Sequence, residues 1–146
     1  MNRQFVFLSV ALLLGACSTP AREEAYRTSE TQLLEARALA RVTCAAPEEC
    51  DRLWSRTALY VAWQSGTAVL ESDAHAITTR KPHSFGKPYF WASRTENEPG
   101  GTTIEIRGMC RGMYRSDGRP GWLYETCTRS IRETEINFRK FVEADE

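Results

Sequence analysis

The sequence predicts an α+β fold: a small antiparallel sheet of about four strands, two helices before it, one helix after it, and disulfides stapling the whole. Three observations lead there. The segment after Pro47 repeats apolar residues at helical spacing. From Thr67 to Arg111 the pattern changes to short runs that alternate between two faces and are separated by turn residues. Cys44, Cys50, Cys110 and Cys127 flank these regions in close pairs.

The elements follow in order. Ser18 to Ser29 is polar with one proline and reads as a tether, reaching roughly 40 Å at full stretch. Residues 30–146 then form a single domain. Glu30 to Val42 is expected to be helical, because Leu33, Leu34, Ala36, Leu39 and Val42 supply apolar matter without proline or glycine. Thr43 to Pro47 breaks it. Pro47 suits the first turn of a second helix, and Glu48, Glu49 and Asp51 suit the positive end of its dipole. Cys50, Leu53, Trp54, Ala58, Val61 and Ala62 form that helix's apolar stripe, with Tyr60 and Trp63 lying off it. Ser65-Gly66 ends it.

Thr67 to Glu71 and His75 to Thr79 read as a pair of strands. Lys87 to Glu96 is a third, rich in aromatics, and Asn97 to Gly101 is a turn. Thr102 to Arg111 is the best strand, with Ile104, Ile106, Gly108 and Cys110 on one face. Trp122 to Cys127 fits either a short strand or the start of a helix. Ser130 and Glu133 resemble a capping box, and a last helix is expected from about Thr128 to Glu143.

Charge says little, since 19 basic and 19 acidic residues cancel. Nothing in that balance advertises nucleic acid, whose partners usually carry a strong excess of basic residues. Four cysteines allow three connectivities; Cys44–Cys50 and Cys110–Cys127 close short loops and are the expected bonds in an oxidising compartment. No CxxC occurs and neither histidine lies near a cysteine, so no metal site is expected. No cofactor motif is present either.

The N-terminus carries an address. Met1-Asn2-Arg3 is basic, and Phe5 to Leu14 is apolar except for Ser9. That run is too short for a stable membrane span and fits a signal peptide. Leu14-Gly15-Ala16-Cys17 resembles the lipobox of bacterial lipoproteins. The resemblance implies removal of residues 1–16, acylation of Cys17, a membrane anchor for residues 17–29, and a domain facing the periplasm. Ser18 in place of aspartate leans towards the outer membrane. The remainder loosely resembles small proteobacterial lipoproteins of uncharacterised activity, which pair a cysteine-stapled, tryptophan-bearing helix with a small sheet. They end in an aromatic-rich helix, as in Phe138-Arg139-Lys140-Phe141-Val142 here.

For catalysis the candidates are few. Asp73 and His75 can form an acid–base pair, or simply a polar turn. GxSxG, HExxH, P-loop and GxGxxG patterns are absent. For binding, Arg80, Lys81, His83, Phe85, Lys87 and Tyr89 mark an unusual stretch of cations and aromatics among prolines and a glycine. A mobile loop of that kind suits an anionic glycan, a lipid headgroup or a protein; the alternative is a plain connection whose Phe85 tucks into the core. Tyr60 and Trp63 form a second candidate patch; the alternative is that the first helix or the sheet covers them. The function expected is therefore a non-enzymatic envelope lipoprotein that binds a protein partner or serves an envelope assembly. An inhibitor or immunity lipoprotein against a periplasm-acting hydrolase is the alternative.

Overall fold

The computed structural model describes residues 20–144. The expected signal peptide, the lipobox and Cys17 lie outside the described residues. The chain divides into two units, Met1–Thr31 and Gln32–Glu146. The described part of the first unit is helical throughout, as the opening of α1 (Pro20–Leu39). This corrects the expectation of an extended tether. Pro20 pre-sets the first turn, Glu23 suits its dipole, and Glu23 pairs with Arg27 one turn on. At 1.5 Å per residue, the ten residues from Pro20 to Ser29 span only about 15 Å.

The second unit is a five-stranded antiparallel sheet with helices on one face. Its elements after α1 are β1 (Arg41–Cys44), α2 (Pro47–Gln64), β2 (Val69–Ser72), β3 (Ala76–Thr79), β4 (Pro88–Glu96), β5 (Thr102–Cys110) and α3 (Tyr124–Glu143). The strand order is β1-β5-β4-β3-β2. The extra strand is β1, where a helix was expected to end. Val42 and Cys44 are buried while Arg41 and Thr43 are exposed, the period of a strand. The four residues pair with Thr102 to Glu105 of β5.

β4 and β5 form the long central pair, in register from Pro88↔Cys110 to Glu96↔Thr102. Their inner face presents Phe90, Ala92, Ile104 and Ile106, joined by Ile77 of β3. Leu53, Trp54 and Val61 of α2 and Ile131, Phe138 and Val142 of α3 cover it. Each such large side chain contributes about 1.5–3 kcal/mol through burial. Gly108 permits the closest approach: a Cβ there would meet the Phe90 ring at 2.5 Å and Ile131 at 3.1 Å.

The helix α3 begins at Tyr124, so the ambiguous stretch before Cys127 is largely helical and Ser130 sits inside the helix rather than capping it. Both expected disulfides are present. Cys44–Cys50 ties β1 to α2, and Cys110–Cys127 ties the end of β5 to α3.

Candidate functional site

Two connections leave the sheet at the end where Pro88 pairs with Cys110. One is the expected binding stretch between β3 and β4; the other runs from β5 to α3. Arg111 locks them together. Its carbonyl accepts from the Gly86 N–H at 2.8 Å, and its own N–H donates to the Lys87 carbonyl at 3.4 Å. Its guanidinium donates to the carbonyls of Pro82 and His83 and lies 4.6 Å from the centre of the Phe85 ring. Gly112 has φ +87, and a Cβ on it would meet the Phe85 ring at 2.8 Å, so glycine is needed for both reasons.

The second connection has its own frame. The Gly121 N–H donates to the Met113 carbonyl at 2.8 Å and the Arg115 N–H to the Arg119 carbonyl at 2.8 Å, making a small hairpin. Met113 is fully buried beneath it. The stretch expected as a mobile loop is therefore tied down, and the two connections hold Phe85 and Trp122 outward. Phe85 is 55% exposed and Trp122 is 80% exposed, with their rings 6.2 Å apart. Phe85 does not enter the core.

The other expected site residues are placed as follows. Arg80, Lys81 and His83 are exposed on the same connection. Lys87 runs beside Gly66, at the end of α2. Tyr89 belongs elsewhere: it stands on the helix-free face of the sheet, 6.1 Å from Trp91, and partial burial raises its hydroxyl pKa. Arg111 and Trp122 were missed as site residues. In the sequence Arg111 looks like one more outward strand residue, and Trp122 falls in the segment whose structure was ambiguous.

Asp73 is engaged by the backbone. Its carboxylate accepts from the N–H of His75 at 2.7 Å and of Ala76 at 2.8 Å, which lowers its pKa. The pair is thus arranged as a turn between β2 and β3, with the His75 side chain in solvent. No group of three His, Cys, Asp or Glu side chains that could hold a metal occurs among the described residues.

The second aromatic patch splits. Tyr60 is buried, donates to the Thr134 carbonyl at 2.7 Å, and packs on Phe138 and Phe141. Burial, with Glu133 nearby, pushes its pKa up to about 12. Trp63 is 73% exposed, beside Phe141 and one turn from the exposed Leu59.

One carboxylate is fully buried. The strand β1 reaches no further along β5 than Glu105, so the next β5 amides need other acceptors. The Ala40 carbonyl takes the Ile106 N–H, and Glu135 takes the Gly108 N–H at 3.1 Å. Arg37 of α1 approaches Glu135 to 3.8 Å. Burial nevertheless dominates and raises the Glu135 pKa to about 7, against the opposing pull of the Gly108 amide, Arg37 and Arg107.

No family model matches the chain, and no curated protein or solved structure matches it. No helix among the described residues is long and apolar enough to cross a membrane.

Proposed function

We propose that the chain is a membrane-tethered envelope lipoprotein that faces the periplasm and acts by binding a protein of the envelope, not by catalysis. The address rests on the resemblance of Leu14-Gly15-Ala16-Cys17 to a lipobox. The binding role rests chiefly on one observation: Trp63 stands 73% exposed on the helix α2, beside Phe141 and one turn from the exposed Leu59. Exposed tryptophan beside arginine and phenylalanine is the composition of interface anchors. Support prearranged in the free protein lowers the ordering cost of association. The protein partner is assigned to the helical face of Leu59, Trp63 and Phe141, where Arg56 lies 5.4 Å from the Phe141 ring and donates to the Phe141 carbonyl.

The test is site-specific photo-crosslinking in intact cells. A photoreactive residue at position 63 should yield a defined adduct with one envelope protein, and Leu59→Asp should abolish it. Absence of any adduct at 63, with the same probe reacting elsewhere on the chain, contradicts the assignment.

A further inference from the structure

The end of the fold that carries Phe85 and Trp122 is predominantly basic, with Asp117 and, in the first turn of α3, Glu125 as its acidic side chains. Arg80, Lys81 and Lys87 stand on one connection, and Arg111, Arg115 and Arg119 on the other. Asp117 answers only Arg115, at 3.6 Å. Among the described residues Arg80, Lys81, Lys87 and Arg119 have no ion-pair partner. At the other end of the sheet, Glu96 closes β4 near Glu98, and Asp51 at the start of α2 pairs with Arg94. Glu48 and Glu49 lie in the first turn of α2. The nine residues of β4 separate the two ends by about 27 Å.

We infer that the basic end docks the domain onto an anionic bilayer surface, with Trp122 and Phe85 entering the headgroup layer and the cations meeting lipid phosphates. This rests on the proposal that the chain is membrane-tethered, and it names what the loop end contacts. Tryptophan is favoured at the membrane–water interface, where its apolar body and polar N–H are both accommodated. Lysine and arginine next to an anionic surface strengthen attachment, by about five-fold per charge. A side chain four-fifths exposed projects instead of lining a pocket, which suits a fluid layer that needs no complementary shape. The polarity adds orientation, because the acidic end is repelled by the surface that attracts the basic one. A short linker to a lipid anchor brings the effective concentration to about the millimolar range, so a weak contact suffices.

The core and both disulfides lie between Leu33 and Val142, so a chain of Ser18 to Glu146 keeps its fold without the anchor. It should cosediment with phosphatidylcholine vesicles that contain phosphatidylglycerol, and not with phosphatidylcholine alone. Added salt should weaken the binding. Lys81→Gln, Lys87→Gln and Arg119→Gln together should lower it by about a hundredfold at five-fold per charge. Trp122→Ala should lower it further, while Trp63→Ala should leave it unchanged. All five side chains are exposed, so the variants should fold. No retention on the anionic vesicles, equal retention on both kinds, or indifference to the triple variant overturns the inference. Capture on immobilised poly-glutamate without vesicle binding also overturns it, in favour of an acidic protein. Palmitate labelling of the full chain separates the two proposals. A labelled chain whose domain ignores vesicles refutes the docking alone. An unlabelled chain whose domain binds them refutes the tether alone.

Discussion

Replacing Glu135 by glutamine should change how stability depends on pH. The carboxyl is fully buried, and burial lifts its pKa from 4.5 to about 7. Between those two values the folded chain holds a proton that the unfolded chain has released. The stabilisation is complete below pH 4.5 and is lost as pH rises through 7. A rise of 2.5 pKa units corresponds to roughly 3 kcal/mol, at about 1.4 kcal/mol per unit. Glutamine keeps an oxygen to accept the Gly108 N–H and removes the titration. The stability of the wild type minus that of Glu135→Gln should therefore fall by about 3 kcal/mol between pH 4.5 and 7.5. Urea unfolding with the disulfides intact, run at several pH values on both proteins, measures it. Taking the difference cancels the other titrating groups. A difference that stays constant across that window refutes the assignment of Glu135 as a buried, proton-binding carboxyl. Arg37→Met removes a charge that lowers the Glu135 pKa, so it should move the window to higher pH.

Three further outcomes are expected. Gly108→Ala drives a methyl into the Phe90 ring and should cost about 1–3 kcal/mol, read as a lower melting temperature. Replacing Cys110 and Cys127 together by serine opens a loop of sequence separation 17 and should cost about 3 kcal/mol in chemical unfolding. Arg111→Ala releases two carbonyls and the Phe85 stack, so the Gly86 amide should exchange faster and stability should fall by about 1–2 kcal/mol. Lysine at position 111 should not restore protection, because it cannot reproduce a planar stack with several fixed donors.

The sequence carried the parts of this fold that repeat a period over many residues. The helix from Pro47, the central strands and both disulfides are where patterning placed them. The strand β1 escaped because four residues are too few to show alternation, and because Val42 equally continues the apolar spacing of the helix before it. The start of α1 escaped because Pro20 to Ser29 is polar, and a polar stretch is helical or extended according to caps and charge pairs instead of burial. At Ser130 a capping pattern was present, but α3 already begins at Tyr124, so Ser130 sits inside the helix. The basic aromatic stretch was visible as composition. Its support was not, since Arg111 follows the end of β5, distant in sequence, and binds carbonyls, which any residue presents. Glu135 was likewise invisible: its burial follows from where β1 stops along β5.

Intact-mass and N-terminal mass spectrometry of the protein taken from cell envelopes decides whether the chain is lipid-tethered. The expected product is a mature chain that begins at Cys17, carries the mass of its acyl chains, and lacks four hydrogens at Cys44, Cys50, Cys110 and Cys127. A chain that keeps residues 1–16, or begins at Cys17 with an unmodified thiol, would contradict the proposal of a tethered binding protein.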